Sequence, residues 1–269
     1  MREQAARRQY AFDNVWIHAR QRLDGLEQLL DPGTIRHLEA LGVAEGWRCL
    51  EVGAGGGSVT TWLCQRAGST GHVTATDLDT RFLDAVTMPN LDIRRHDIVT
   101  DELPEMRFDL VLSRLVLEHI QQRETALRRM LSSLKPGGWL VCEDTDSASV
   151  TLLSPTNPAS RELFARVERA KDAVLTARGH AYCGRQLYGY FCALGLERVR
   201  TEGRAPLIYA RTAPARWKAL SVDQIRTDIV GTGRATDADI DGYLALVDSQ
   251  EFVAQGFTVM TAWGRRPGA

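Results

Sequence analysis

Hydrophobic residues are spaced along this chain with two different periods. Between Trp47 and about Asp144, short apolar segments alternate with stretches in which apolar residues recur every three or four positions. The apolar segments are WRCLEVG, HVTATDL, LDIRRHDI, FDLVLSRL and GGWLVCED. Strands that alternate with helices in this way form β-α-β units, and a series of such units builds a parallel sheet covered by helices on both faces. The pattern therefore predicts an α/β fold.

The flanking regions are predicted to contain more helix. Residues 1–46 hold two segments with helical periodicity, RLDGLEQLL and TIRHLEALG, and the DPGT sequence between them is typical of a turn. A helix is predicted from Ser160 to Arg178 and two more between Trp217 and Val253, whereas LERVRTEGRA, APLIYAR and FTVMTAWGRR alternate as later strands do. We predict a helical N-terminal lid over residues 1–46 and one domain over residues 47–269, with a helical cap inserted at about 151–190 and 214–253.

Composition narrows the possible partners. The 269 residues carry a formal net charge of -1, so there is no basic excess to neutralise phosphates, and we expect no nucleic-acid partner. The five cysteines are odd in number and lack C-x-x-C spacing, which argues against a disulfide framework or structural zinc, and no residue set has convincing metal spacing. No apolar run is long enough for export or a membrane span. These features predict a cytoplasmic protein without a metal or a membrane partner.

The most informative stretch is CLEVGAGGGSVTTWL, which runs from a strand through glycines into a helix. Such a turn lets the backbone approach a ligand closely and presents amide groups at a helix N-terminus. The dinucleotide pattern G-x-G-x-x-G/A would need a small third residue where Ser58 stands, and serine fits poorly. The pattern acidic-x-G-x-G-x-G is met without a gap by Glu51, Gly53, Gly55 and Gly57.

These residues resemble the first motif of the class I methyltransferases that bind S-adenosylmethionine. The resemblance continues through TATDLD, RRHDI, FDLVLSRLVLEHI and LKPGGWLVCED, each after a successive strand, and YAFDN, LDPGTIRHLEALG and AWGRRP are similar to a group of bacterial small-molecule enzymes. The resemblance implies a Rossmann-like, seven-stranded, mostly parallel sheet with helices on both faces. It also implies S-adenosylmethionine as cofactor and methyl transfer to an oxygen, nitrogen or carbon atom of a small organic acceptor, in bacterial natural product biosynthesis.

The expected cofactor site follows the strand ends. A carboxylate after the second strand, Asp77, can accept hydrogen bonds from both ribose hydroxyls, and Asp97 can accept from the adenine amino group while Ile98 packs on the ring. Glu51 would hold the ammonium end of the methionine portion, and the loop amides would meet its carboxylate. The full set of expected cofactor residues is Tyr10, Arg22, Glu51, Gly53, Ala54, Gly55, Gly57, Asp77, Leu78, His96, Asp97, Ile98, Ser113 and Arg114.

The N-terminal segment has two alternative roles. Tyr10, Asp13 and Asn14 precede a helix that would close over the cofactor and exclude water, with Arg20 or Arg22 reaching the methionine carboxylate. Alternatively, this helix packs on the sheet or on a second subunit, which would make the protein a homodimer.

Three residues are candidates for a general base, which only some acceptors require. His119 follows the fourth strand, Asp144 ends the fifth, and His180 lies with Tyr182 in a segment that would cover the substrate. Each also has an alternative role. His119 can be a family histidine without a catalytic role, Asp144 a polar anchor, and His180 a surface residue. Strand alternation places Glu143 on the face opposite Asp144, and Glu118 is expected to be solvated or to lie on the cap side.

Other functions stay open at this point. A family member can bind the cofactor and catalyse a different reaction, such as a cyclisation, because the cofactor motifs do not guarantee an acceptor in line with the methyl group. A non-enzymatic cofactor-binding or assembly protein is a third possibility. A nicotinamide-dependent dehydrogenase is disfavoured by Ser58 and by the presence of Asp97.

Overall fold

The computed structural model describes residues 12–268, which divide into two compact units. The sheet unit comprises residues 30–144, 183–203 and 259–268. The helical unit comprises residues 12–29, 145–182 and 204–258. Each unit is therefore assembled from separate stretches of the chain.

Within residues 12–268, ten strands form two sheets. The strands are β1 (Arg48–Val52), β2 (His72–Asp77), β3 (Leu91–Arg95), β4 (Phe108–Arg114), β5 (Leu134–Asp146), β6 (Thr151–Ser154), β7 (Glu197–Arg204), β8 (Leu207–Tyr209), β9 (Val253–Gln255) and β10 (Thr258–Arg265). The large sheet has seven strands in the order β3-β2-β1-β4-β5-β10-β7. The strands from β3 to β5 pair in parallel, with Cys49 of β1 opposite both Val73 of β2 and Leu110 of β4. The predicted α/β class with a mostly parallel, seven-stranded sheet is confirmed.

Eight α-helices lie in the described part of the chain. They are α1 (Ala19–Ala40), α2 (Ser58–Ala67), α3 (Arg123–Ser133), α4 (Pro158–Arg178), α5 (Leu187–Ala193), α6 (Ala213–Gln224), α7 (Arg226–Gly231) and α8 (Asp237–Asp248). Short 3₁₀ helices follow β4, at Leu117–His119, and β5, at Ser147–Ser149. Three helices therefore occupy the region between Trp217 and Val253 for which the periodicity predicted two, because α7 is a single short turn after α6.

Both faces of the large sheet are covered, as parallel sheets require. On one face Leu50, Val52 and Val111 pack with residues of α3, and on the other Cys49 and Leu110 pack with residues of α2. Adjacent strand residues thus point to opposite faces and are buried on each. This explains why these strands read as nearly continuous apolar runs, and it leaves the strand ends as the place for polar chemistry.

The helical unit has its own core and a small antiparallel sheet. Strands β6 and β8 flank β9, and their inward residues Leu152, Ile208 and Ala254 are all buried. The ring of Phe164 on α4 stacks on that of Tyr243 on α8, with 5.4 Å between centroids. Strands β6 and β9 were not predicted from the sequence, because segments of three or four residues carry too little periodicity to be recognised.

The turn predicted at DPGT does not form. Helix α1 continues through Asp31, Pro32 and Gly33 without interruption. Pro32 removes one helical hydrogen bond, but side chains on either side of it hold the helix in place: Asp31 binds Arg114, and Thr34 donates to Glu143 and to the carbonyl of Leu30. Tertiary contacts have therefore outweighed the local preference for a turn.

Candidate functional site

A glycine turn joins β1 to α2 at the carboxyl edge of the sheet. Gly53, Gly55 and Gly57 have φ angles of 70°, 57° and 84°, in the left-handed region that residues with a Cβ rarely adopt. The amides of Gly53 and Ala54 both donate to the carbonyl oxygen of Thr76, at 2.8 and 3.0 Å. The turn is thereby fixed to the end of β2.

The three glycines differ in what a side chain would meet. A Cβ on Gly53 would collide with Val116, and one on Gly57 would lie 2.8 Å from Val86. A Cβ on Gly55 would have nothing within 4 Å. Packing within the protein therefore explains the first and third glycines. The middle one borders open space, which fits a ligand that approaches the backbone there.

Asp77, at the end of β2, faces this turn. Its Oδ2 accepts the amide hydrogen of Gly55 at 2.9 Å and its Oδ1 that of Asp79 at 3.0 Å. Burial raises the pKa of Asp77, and the backbone donors oppose that shift because they stabilise the carboxylate. A carboxylate held in this way has lone pairs left to accept from two neighbouring hydroxyls, as a ribose would offer.

Glu51 and Asp97 are fixed in different ways. Glu51 is buried at the end of β1, where the Thr60 hydroxyl donates to its Oε2 at 2.5 Å. Asp97 follows β3 and accepts the amide hydrogen of Val99 at 2.8 Å, which forms a tight turn beyond the strand. The acidic residues after β1, β2 and β3 thus lie at one edge of the sheet. That set of acceptors fits a nucleoside with an amino-acid end.

Some of the other residues expected to bind the cofactor make contacts within the protein. The His96 amide donates to the carbonyl of Asp77 at 2.9 Å, which ties the ends of β2 and β3 together. Ile98 is only 5% exposed and belongs to the core under the sheet, whereas Leu78 is 48% exposed. Ser113 is buried, and its hydroxyl lies 3.3 Å from Cys142 Sγ. Contact of these four with a cofactor stays a prediction.

Arg114, at the end of β4, has a set of partners that the sequence did not reveal. Its Nη1 donates to Asp31 at 2.7 Å and to the Thr34 hydroxyl at 3.2 Å, and its Nη2 lies 3.4 Å from Ser58 Oγ. Burial works against the guanidinium charge, but the carboxylates of Asp31 and Glu143 more than compensate and raise the Arg114 pKa. Arg114 therefore joins α1 to the first residue of α2, beside the glycine turn. Asp31 and Thr34 were missed because the sequence placed them in a turn.

The two acids at the end of β5 point in opposite directions, as predicted. Glu143 accepts from the hydroxyls of Thr34 and Thr261, at 2.5 and 2.8 Å. Asp144 Oδ1 accepts the amide hydrogen of Glu118 at 3.0 Å, and its buried Oδ2 has no hydrogen-bond partner. Burial first, and then the charge of Glu118, raise the pKa of Asp144 well above its usual value.

His119 lies in the 3₁₀ helix directly after this contact. Its Nε2 is 3.4 Å from Glu118 Oε1, and the Glu118 side chain is only 15% exposed. Of the two alternatives expected for Glu118, the solvated one is therefore wrong, because the segment after β4 folds back over the end of β5. Asp144, Glu118 and His119 form one cluster, whereas His180 belongs to the helical unit, where its Nδ1 accepts the amide hydrogen of Tyr182. Their catalytic roles stay predictions.

The remaining expected residues are distributed differently. Tyr10 lies outside the described residues. Arg22 belongs to the helical unit and is 2% exposed. Within residues 12–268 no group of three or more histidine, cysteine, aspartate or glutamate side chains is arranged to hold a metal ion. None of the described helices combines the length and apolarity needed to cross a membrane.

Comparison with known proteins agrees with this geometry. Residues 50–142 match a family model described as a methyltransferase domain. A demethylmenaquinone methyltransferase from Staphylococcus aureus is 30% identical over 135 residues, which is 48% of this chain and 53% of that protein. The chain thus spans about half the length of the curated relatives it matches.

Solved structures share the fold at low sequence identity. The [4+2]-cyclase SpnF superposes with a TM-score of 0.55 at 18% identity, over 89% of this chain and 81% of the other. A phosphoethanolamine N-methyltransferase from Haemonchus contortus, solved with S-adenosylhomocysteine, gives a TM-score of 0.51 at 17% identity, over 92% and 52%. The fold is therefore the Rossmann-like fold of such enzymes.

The matching domain begins within β1 and includes the glycine turn and the acidic strand ends. Residues 50–142 are thus similar to a methyltransferase domain, and the fold around them is the one that class I methyltransferases share. The acidic strand ends and the glycine turn described above fit S-adenosylmethionine as a ligand.

Proposed function

We propose that the protein transfers a methyl group from S-adenosylmethionine to a small organic acceptor. The observation that carries the proposal is the glycine turn: Gly55 borders open space, and Asp77 holds its amide while keeping lone pairs for a diol. When bound, the cofactor supplies an electrophilic methyl group on a sulfonium. Asp77 and Asp97 would bind the nucleoside, and Glu51 and the turn amides the amino-acid end.

The chain's own contribution to the reaction is mainly one of position. Alignment of two reactants in a site without water accounts for a large part of the rate enhancement in such transfers. A base is needed only where the acceptor atom must lose a proton before it attacks. The Asp144, Glu118 and His119 cluster is the candidate for that role within the sheet unit.

An electron-rich ring carbon is the acceptor atom that we test first. The Staphylococcus aureus relatives are named for demethylmenaquinone, and their similarity to this chain supports an acceptor of that class. We further propose that the protein acts in the cytoplasm, in the synthesis of a bacterial natural product, as a monomer or homodimer. The four buried free cysteines support a reducing location.

The test is a search for methylated product by mass. Purified protein is incubated with S-adenosylmethionine and reduced demethylmenaquinone, and in parallel with a set of phenols, alcohols and amines. The expected result is the gain of one methyl group on one acceptor class, with an equal amount of S-adenosylhomocysteine. Binding of the cofactor with a chemical change that adds no methyl group would indicate instead a repurposed enzyme. Absence of cofactor binding would contradict both.

The role of a base is tested on the acceptor found in this way. Three variants are compared: His119→Ala, Asp144→Asn and His180→Ala. If one residue is the base, that variant loses about 100-fold or more in kcat with cofactor affinity unchanged. Losses below tenfold in all three would show that alignment alone carries the reaction.

A further inference from the structure

The chain turns sharply after β4 and brings the next residues to the edge of the sheet that carries the glycine turn. Leu115 has a φ angle of 55°, in the left-handed region that residues with a side chain rarely adopt, and its amide donates to the carbonyl oxygen of Glu143 at 2.8 Å. Val116 packs against Gly53 of the glycine turn. A strained backbone of this kind persists only where its surroundings fix it, and such positions cluster at functional sites.

Side chains from two other elements hold the backbone of the 3₁₀ helix Leu117–His119. Asp144 Oδ1 on β5 accepts the amide hydrogen of Glu118 at 3.0 Å, and Arg123 Nε on α3 donates to the carbonyl oxygen of Leu117 at 2.9 Å. The Leu117 side chain itself is buried in the core. None of these contacts uses the Glu118 side chain, so we expect a substitution there to leave the backbone in place.

The side chains of Glu118 and His119 face one another, although the two residues are adjacent in the chain. His119 Nε2 lies 3.4 Å from Glu118 Oε1, and the two side chains are 23% and 15% exposed, respectively. At this distance a carboxylate stabilises the protonated imidazole and limits the orientations of the ring. A partly buried pair is also screened less than a pair on an open surface.

The other titratable groups at this cluster, which all belong to the sheet unit, do not favour a positive charge on His119. Burial first, and then the charge of Glu118, raise the pKa of Asp144, which moves it towards its uncharged form. Burial likewise raises the pKa of the Cys183 thiol. Arg123 on α3 is itself positive and acts against a second positive charge. Glu118 is therefore the group that favours the imidazolium.

We propose that Glu118 is a positioning residue for His119: its carboxylate orients the imidazole ring and stabilises the imidazolium that forms when His119 accepts a proton from a hydroxyl group of the acceptor. In that step the O–H bond breaks, its electron pair stays on the acceptor oxygen, and the proton bonds to a ring nitrogen of His119. The inference rests on the proposed methyl transfer and deepens it. It favours a phenolic acceptor, such as a reduced quinone, over one that reacts without losing a proton.

Histidine NMR of the protein without cofactor tests the contact itself. In a sample with ¹³C-labelled histidine, His119 is the signal that is missing from His119→Gln. Glu118→Gln keeps the size of the side chain but removes its charge, so the midpoint of the His119 titration should fall by about half a pH unit or more. The matched control is Glu124→Gln, because Glu124 on α3 is 74% exposed, and it should leave the midpoint unchanged.

Kinetics on the methylated acceptor test whether the contact serves the reaction. Glu118→Gln should lower kcat about tenfold with KM little changed, and the acidic limb of its pH profile should move to lower pH by the same amount as the NMR midpoint. Glu118→Asp keeps a carboxylate and should recover part of the loss. In a His119→Ala background, Glu118→Gln should cause no further loss, because Glu118 acts only through His119.

An unchanged His119 midpoint in Glu118→Gln would overturn the proposal, and full activity of His119→Ala would do the same. Losses that add in the double variant would also overturn it, since Glu118 would then act independently of His119. Glu118→Ala gives the same comparisons if Glu118→Gln does not fold. Each of these results leaves the proposed methyl transfer standing, because that is judged by cofactor binding and by the mass of the product.

Discussion

Two aspartates at strand ends, the partly buried Asp77 and the fully buried Asp144, show how local hydrogen-bond donors decide what a carboxylate does. Burial raises the pKa of both Asp77 and Asp144. Asp77 accepts a backbone hydrogen bond on each oxygen, whereas Asp144 accepts one and has a second buried oxygen without a partner. The backbone donors therefore keep Asp77 as a hydrogen-bond acceptor. Asp144 is better satisfied when protonated, because a carboxylic acid can donate where a carboxylate cannot.

Asp77→Ala should weaken the binding of S-adenosylhomocysteine by roughly 1.5 to 3 kcal/mol, because at least one charge-assisted hydrogen bond is lost. Calorimetry measures the change. Asp79→Ala is the control, since the Asp79 side chain pairs with Arg81 and the substitution keeps the backbone amide that donates to Asp77. Equal affinities of wild type and Asp77→Ala would remove Asp77 from the site.

Asp144→Asn should make the protein more stable at high pH relative to wild type. Because the folded-state pKa is raised, the contribution of Asp144 to stability is fully present below its ordinary value of 3.8 and is lost as pH rises through the folded-state pKa. Asparagine keeps the acceptor for the Glu118 amide but does not ionise. The two proteins should unfold at similar urea concentrations near pH 4, and the variant should be the more stable of the two at pH 8. A constant difference at every pH would contradict this account.

At the scale of elements, α1 is held by side chains rather than by its own sequence. Pro32 cannot donate to the carbonyl of Gln28, and glycine follows it, so the segment would not stay helical alone. Asp31 and Thr34 bind partners on α2, β4 and β5. These contacts make one helix of two segments that the periodicity separates.

Pro32→Ala should therefore stabilise the protein, by about 2 kcal/mol. Alanine restores the helical hydrogen bond, which outweighs the extra flexibility that it gives the unfolded chain. Urea unfolding measures the gain. Pro158→Ala, in the first turn of α4, is the matched control and should change little, because proline is well tolerated there. A loss of stability in Pro32→Ala would mean that the segment is a turn after all.

Helices α4, α6 and α8 meet at a buried ionic cluster. Glu168 binds Lys218 at 2.6 Å and also pairs with Lys171 and with the Tyr243 hydroxyl. Burial alone would raise the Glu168 pKa, but the two ammonium groups outweigh it and lower the pKa to about 2. Burial lowers the Lys218 pKa to about 8. These buried charges are therefore stable only when all three are present together.

Glu168→Gln should destabilise the protein by about 3 to 5 kcal/mol, because it leaves two buried ammonium groups without a counter-charge. Thermal or urea unfolding gives the value, and the loss should shrink as the pH rises towards 8, because Lys218 in the variant gives up its proton below the wild-type pKa of about 8. Glu162→Gln, on the exposed side of the same helix, should leave stability unchanged. A small loss in Glu168→Gln would show that water reaches the cluster.

For the whole molecule, a ligand that binds only the folded state raises stability by mass action. S-adenosylhomocysteine at one hundred times its Kd should add about 2.7 kcal/mol to the free energy of unfolding, and NAD at the same concentration should add nothing. The rise in Tm measures both. A response to NAD alone would contradict the assignment of the glycine turn.

The sequence by itself determined the alternating α/β pattern, the position of the glycine turn and the acids that end β1, β2 and β3. These features depend on neighbours along the chain: strand and helix periods are local, and a turn with left-handed backbone requires glycine wherever it occurs. The direction of Glu143 relative to Asp144 followed from the same alternation.

Only the tertiary structure decided which distant groups meet. Nothing local to DPGT shows that Asp31 binds Arg114, and nothing local to LVLEHI shows that the Glu118 amide donates to Asp144. Nor does anything local show that the side chain of Gln224 donates to the carbonyl oxygen of Asp13. Such contacts join segments up to about 200 positions apart. Their free energy outweighs local preference once the chain has folded.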